Sequence, residues 1–159
     1  MGYVEELRKL IGKQTLIMPG VRAVIRDESG AVPLQLRSDL KVWGVPAGSM
    51  ELEESVQGAL RREVYEETGL TVIRARPFGI YTDPRHGFHY PNGDHAQPFT
   101  IAFLVEEWTG TIEPHDDESL DHRFFPLDQL PPPEEMHLPH RTVIDDLLRF
   151  LETGEIVVD

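Results

Sequence analysis

The chain has 159 residues, a formal net charge of -13 and 40% hydrophobic residues, which suits one globular domain with a full core. So acidic a chain works against non-specific binding to nucleic acid or to an anionic membrane, and no apolar run approaches the roughly 20 residues that cross a bilayer. With no Cys there is no disulfide framework, and the expectation is a single domain over residues 1–159 in the cytoplasm.

The first segment, MGYVEELRKL, is charged and amphipathic, unlike a signal peptide. Glu6 stands where a myristoylation site after Gly2 would need Ser or Thr. Residues 3–11 predict a short helix with Val4, Leu7, Leu10 and Ile11 on one side. Residues 16–26, LIMPGVRAVIR, are β-rich, with Pro19-Gly20 marking a bulge or a strand start, since Pro cannot donate to a ladder. Asp27-Glu28-Ser29-Gly30 predicts a hairpin turn, and residues 31–37 the partner strand, at an edge or bulge because of Pro33. A short extended piece over 41–45 delivers Pro46-Ala47-Gly48 to a loop, Ala47-Gly48-Ser49-Met50, ahead of a helix.

That helix runs from about Glu54 to Thr68 and is stopped by Gly69, a residue that tolerates the left-handed cap. At about 100° per residue, Val56, Leu60 and Val64 share one stripe, with Ala59 at its edge. Glu63 and Glu67 lie four apart on one face, with Glu66 beside them. Their face overlaps the apolar stripe, so the stripe begins apolar and ends in carboxylates. Like charges at this spacing repel, and acids near a helix C-terminus oppose its dipole. Arg62 offsets one of them, and a divalent cation would offset the rest. Hard carboxylate oxygens select Mg²⁺, Mn²⁺ or Ca²⁺ over zinc.

Strands follow over 71–82 and 97–107, separated by a polar and aromatic loop or long hairpin at 83–96, in which Asn92-Gly93 is a tight-turn signal. Residues 113–121 are acidic. A last strand over 123–126 feeds a short helix over 127–130, Pro131-Pro132-Pro133 breaks the chain, and residues 140–152 form a helix packing through Val143, Ile144, Leu147, Leu148 and Leu151. Trp43 and Trp108 are assigned to packing. Strands first and last with helices between and after give an α+β class with a mixed sheet.

The segment from Gly48 to Leu70 reads Gly, five residues, Glu54, seven residues, Arg62-Glu63-Val64, one residue, Glu66-Glu67, one residue, Gly69-Leu70. It resembles the Nudix hydrolase signature G-x5-E-x7-R-E-U-x-E-E-x-G-U at every fixed position, U being a bulky aliphatic residue. The resemblance implies an α/β/α sandwich with a mixed sheet and the signature loop-helix beneath it. It implies metal-assisted hydrolysis of a pyrophosphate bond in a nucleoside diphosphate linked to another group, with Mg²⁺ (or Mn²⁺) as cofactor. Nucleotide sugars such as ADP-ribose, nucleoside triphosphates including oxidised ones, and dinucleoside polyphosphates are all candidate substrates. The YPNGD and FFPLDQLP segments are similar to a group of Nudix hydrolases with no settled substrate, and a homodimer is common among such relatives.

Carried onto this chain, the resemblance assigns Arg62, Glu63, Glu66 and Glu67 to catalysis, with the three acids as metal ligands and Arg62 orienting them. Glu54 binds a metal or braces the loop. Ala47 stands where a second glycine is usual. Its main-chain carbonyl can still ligate metal, but a positive φ there is put in question. Gly48 is expected where the backbone turns sharply. A further catalytic and ligating acid arrives in the family from a loop ahead of the last strand. Of Asp116, Asp117, Glu118 and Asp121, Glu118 is favoured by its distance from Phe124-Phe125-Pro126. The specificity region is placed at 81–99, with Tyr81, Phe88, Tyr90 and Phe99 for base stacking and Arg85, His86 and His89 for phosphate or ribose. Tyr81 and Phe99 serve equally as core residues. Two other classes stay open: a silent nucleotide-sensing or protein-interaction module, whose usual sign would be loss of one of the three acids, and an acidic interaction protein holding a structural Ca²⁺.

Overall fold

The structure, a computed structural model, describes residues 2–89, 92–113 and 118–159. In chain order the elements are α1 (Tyr3–Ile11), β1 (Leu16–Ile25), β2 (Val32–Arg37), β3 (Trp43–Gly44), β4 (Ala47–Ser49), α2 (Val56–Thr68), β5 (Thr71–Tyr81), β6 (Phe88–His89), β7 (His95–Thr109), β8 (Ser119–Phe125), α3 (Leu138–Thr153) and β9 (Val157–Val158). The larger sheet has the order β4-β1-β7-β5-β9, with β6 also on β7, and a smaller sheet has the order β3-β2-β8. β1 runs parallel to β7 and antiparallel to β4, so the larger sheet is mixed, as expected.

Apolar and polar residues do not alternate cleanly along β1, for a structural reason. Both of its faces are covered, so successive residues enter two different cores. Val21, Ala23 and Ile25 pack with Ala59, Leu60 and Val64 of α2 and with Phe103 and Val105 of β7. Val24 turns the other way, onto Leu34, Phe78, Leu104 and the α3 residues Val143, Ile144, Leu147 and Phe150. The larger sheet therefore lies between α2 on one side and α3 with the smaller sheet on the other. No helix among the described residues is long and apolar enough to cross a membrane.

Several expectations are corrected. The turn at 27–30 forms, with the Gly30 N–H donating to the Asp27 carbonyl at 3.0 Å. It does not close a hairpin, because β2 leaves for the other sheet and pairs with β3 and β8. A tight turn signal reports local chain reversal, and only the burial of β2 decides which sheet it joins. Pro19 makes neither a bulge nor a strand start: it sits inside β1 in unbroken register with Phe99 of β7. Pro33 is tolerated in a central strand because β3 reaches only Gln35 and Leu36, which leaves the strand locally an edge. Residues 47–49 form a strand on β1 rather than a loop. Residues 127–130 form a turn, not a helix. β8 is not the last strand, since β9 pairs with β5 after α3. The helix α1 has its predicted bounds but buries none of its residues, and Leu10 is 83% exposed.

Candidate active site

The helix α2 begins at Ser55, whose side chain accepts the Gly58 N–H at 3.0 Å, the expected use of a serine N-cap. It ends at Gly69, with φ 75°. Between these ends, the apolar stripe holds α2 against the larger sheet. Because Glu67 continues that stripe one turn past Val64 (three residues on), packing carries its carboxyl inward, and it is only 1% exposed.

Glu67 Oε2 accepts the Ala47 N–H at 2.8 Å. Its other oxygen, Oε1, is buried with no hydrogen-bond partner. Burial pushes the carboxyl up to about 8, a shift only partly opposed by the Gln35 side chain, the Ala47 N–H and the charge of Arg37. Glu63 is also held above the usual carboxylate range. Burial is the main cause, opposed by Arg62 and reinforced by the like charges of Glu66 and Glu118. A buried oxygen without a partner is costly.

Arg62 does more than the sequence assigned to it. Its guanidinium meets Glu54 at 2.9 Å, Glu63 at 2.7 Å and Glu66 at 3.1 Å, and Nη2 donates to the Ser49 carbonyl at 2.9 Å. One cation thus offsets three acids rather than one. Glu54 braces the loop here: two charge-assisted bonds from Arg62 and one from the Glu51 N–H hold it, and Arg62 keeps its carboxyl below the usual range. Among the described residues no three carboxylates or imidazoles already converge on one point. The guanidinium stands among them instead.

A cavity of about 640 Å³ opens beside this cluster. Glu63, Ala47, Gly48 and Ser49 line it together with Glu118. The tertiary structure thus brings the acid favoured from the loop before β8 to the same space as α2. Asp121 instead pairs with Arg123 at 2.8 Å. Asp116, Asp117 and Tyr90 lie outside the described residues. Gly48 is required for a different reason than expected. Its φ is not positive, and it sits in a strand. A Cβ there would fall 2.1 Å from the Glu63 carboxyl. Ala47 likewise has no positive φ, so the alanine fits without strain.

The proposed specificity residues fare differently. Tyr81 is a core residue, 2% exposed, donating from its hydroxyl to Asp146 at 3.0 Å. Arg85 sits in a single 3-10 turn at Pro84–His86 and pairs with Asp83 at 2.6 Å. Neither lines the cavity. Phe99 is 47% exposed, on the wall of a separate apolar hollow with Ile17, Met50 and Val56. The cavity takes Arg22, Arg37, His137 and His140 instead. These come from β1, β2 and the start of α3. No spacing rule links residues so far apart in sequence.

The NUDIX domain profile matches residues 16–147. The chain belongs to the NUDIX domain family. Among curated proteins it is 38% identical over 90 residues to the "NAD-capped RNA hydrolase NudC" of Actinobacillus succinogenes, covering 54% of this chain and 30% of that one. It is 30% identical over 108 residues to the "ADP-ribose pyrophosphatase" of Methanocaldococcus jannaschii, covering 68% of this chain and 58% of that one. This NUDIX domain thus spans less than two thirds of the length of these relatives. Among solved structures, the MutT NUDIX hydrolase of Burkholderia pseudomallei superposes with a TM-score of 0.68 at 24% identity, over 84% of this chain and 98% of that one. The MutT protein of Methanosarcina mazei Go1 gives 0.69 at 21% identity, over 89% and 99%. Both show the NUDIX fold.

Two consequences of the site geometry are measurable. Gly48→Ala should leave the NUDIX fold intact and displace the Glu63 carboxyl, since a Cβ contact at 2.1 Å cannot persist. Turnover should fall at least about tenfold, the scale for a group misplaced beside the chemistry, with little change in thermal unfolding. Unchanged turnover would show that Glu63 need not stay where it is.

The second concerns pH without added metal. The folded pKa of Glu67 is raised, so between its unfolded value near 4.5 and about 8 the folded state holds a proton that the unfolded state has lost. Its contribution falls as pH rises through that window. His137, pushed down to about 4, and His140, pushed well below its usual value, act oppositely. They add stability as pH rises towards 6.5 and nothing beyond. Thermal unfolding in a chelator should therefore show stability falling from pH 6.5 to 8, and Glu67→Gln should flatten that slope. An equal slope in the variant would assign it to other groups.

Proposed function

We propose that this NUDIX domain hydrolyses a phosphoanhydride bond in a nucleoside diphosphate linked to another group, and that it uses Mg²⁺ or Mn²⁺. The supporting observation is the buried Oε1 of Glu67, which has no hydrogen-bond partner, one helical turn from Glu63, which lines the cavity together with Glu118. Donors that are all oxygen, most of them carboxylate, fit a hard divalent cation. Glu63, Glu66, Glu67, Glu118 and the Ala47 carbonyl would hold it. When bound, the ion would neutralise phosphate charge and lower the pKa of a coordinated water.

The chain's own residues supply the rest. The absence of a side chain at Gly48 gives the Glu63 carboxyl its place on the cavity wall, where the nucleotide phosphates would bind. One of the acids, Glu63 or Glu118, would orient the attacking water and accept its proton. Arg62, braced by Glu54 and the Ser49 carbonyl, keeps Glu63 and Glu66 in position and compensates their charge before the ion arrives. Burial keeps water from the inner side of Glu67, where charge interactions are strongest.

The test is incubation with ADP-ribose, a nucleoside triphosphate, an oxidised triphosphate and a dinucleoside polyphosphate, each with Mg²⁺ or Mn²⁺ and with product identification. The expected result is metal-dependent cleavage of at least one. Two monophosphates as products define a nucleotide-sugar or dinucleotide substrate, and released pyrophosphate defines a triphosphate. No cleavage of any, with nucleotide still bound, would replace the enzyme by a silent sensing module.

A further inference from the structure

The cavity that Glu63 and Glu118 line also takes two arginines, with Asp39 beside them. Arg22 and Arg37 both line it, together with His137 and His140 at the start of α3. Arg22 projects from β1 into the side of the sheet that packs on α3. It is only 5% exposed, and its guanidinium lies 5.8 Å from the centre of the Tyr81 ring. The Arg37 side chain is 17% exposed and meets Asp39 at 2.8 Å. Two arginines are thus largely withdrawn from water, at a desolvation cost, on the wall of one cavity. Burial is the main reason that His137 and His140 are held below the usual range; the two arginines add to it, and Asp39 opposes it at His137.

Guanidinium groups in this setting suit the planar, multidentate recognition of phosphate oxygens. The cavity, at about 640 Å³, is in the range that encloses a whole small ligand. On the reading given above, the diphosphate belongs to the acidic end with its cation. Arg37 stands between the two ends, near enough to Glu67 for its charge to bear on that carboxyl, and Arg22 lies deeper, against Tyr81. A ligand that reaches from Glu63 to Arg22 must present negative charge at both ends.

We infer that Arg22 and Arg37 hold a further phosphate next to the diphosphate. The substrate is then a nucleoside diphosphate extended by at least one more phosphate, as in a nucleoside triphosphate or a dinucleoside polyphosphate, rather than one joined to a neutral sugar. This rests on the acids taking the diphosphate. Asp39 limits the arrangement by holding Arg37 when no ligand is present.

Calorimetric titration in a chelator tests it, because the acids then contribute no metal-bridged affinity. ATP and diadenosine tetraphosphate carry the extra phosphate, and ADP-ribose lacks it. For the wild type, at least one of the first two should bind about tenfold or more tighter than ADP-ribose. Whichever is tighter identifies the source of the phosphate. Arg37→Gln should weaken that binding by about tenfold to a hundredfold, the worth of one charge-assisted contact, and leave ADP-ribose within about twofold. Arg37→Lys should recover part of the loss, and Asp39→Asn should tighten the extended nucleotide. Arg22→Gln is informative where its thermal unfolding matches the wild type, and the Arg37 and Asp39 variants carry the test where it does not. Equal affinity of the wild type for all three ligands, equal losses for ATP and ADP-ribose, or no loss in Arg37→Gln would overturn the inference. Failure of the hydrolytic reading is seen separately, as absence of turnover with Mg²⁺ in a protein whose Arg37-dependent binding persists.

Discussion

Glu67→Gln should keep the fold and lower turnover of the best nucleotide substrate by about a hundredfold or more, the scale expected when a group essential to the reacting centre is lost. The substitution is nearly isosteric, so the cavity and the packing of α2 stay as they are. The amide oxygen of the introduced glutamine can still accept the Ala47 N–H that Glu67 Oε2 accepts now at 2.8 Å. What disappears is the charge. In the native chain that charge is resisted by burial, which raises the carboxyl to about 8. Oε1 has no hydrogen-bond partner, and the Gln35 side chain and the charge of Arg37 offset the burial only in part. A side chain kept in so costly a setting should matter for activity more than for stability. The variant's melting temperature at neutral pH should therefore equal or exceed that of the wild type. Single-turnover kinetics and thermal unfolding on the same preparation decide the matter. Full activity would remove Glu67 from the reacting centre, and collapse of the fold would make it a structural group.

Arg62→Ala should do the reverse and damage stability along with activity. Arg62 is the common partner of Glu54, Glu63 and Glu66 and the donor to the Ser49 carbonyl. Its loss leaves three acids facing one another. Removing one member of a fully buried ion pair costs about 3–5 kcal/mol. Here Arg62 is 29% exposed and Glu66 46%, so solvent screening reduces the expected loss to about 2–3 kcal/mol. Turnover should fall as well, because Glu63 and the segment at Ser49 lose their tether. Added Mg²⁺ should restore part of the stability in Arg62→Ala, since a cation can replace the missing charge, and should restore less in a variant that also carries Glu67→Gln. Denaturant titrations with and without Mg²⁺ read both effects. A variant as stable as the wild type in a chelator would show that the acids repel one another too weakly to need Arg62.

The acidic half of the site was legible because it lies on one helix. A period of 3.6 residues fixes which face Glu63 and Glu67 share with Leu60 and Val64, and Gly69 sets the end, so local spacing was enough; the start, expected near Glu54, is fixed by the Ser55 cap in the structure. The α+β class was legible for a similar reason, since strand and helix periods are local properties. Strand partners were not. The segment 27–30 looks the same to its neighbours whether β2 folds back on β1 or crosses to β8. Likewise, the need for glycine at position 48 could be misread as a turn, because the carboxyl that excludes a side chain there belongs to Glu63, fifteen residues away in sequence.

By itself the sequence determined α2, its C-terminal cap at Gly69, the inward drift of its acids and the family to which they belong, all of which depend on contacts within a few turns of one helix. Only the tertiary structure decided that Glu118 shares a cavity with Glu63, that Tyr81 is buried against α3 and Arg85 lies elsewhere, and that Arg22, Arg37, His137 and His140 line that cavity too. Those residues meet because alternate side chains of β1 point to opposite faces of a sheet covered on both sides. Where each one ends up is settled by the packing of the second sheet and α3, which no local pattern encodes.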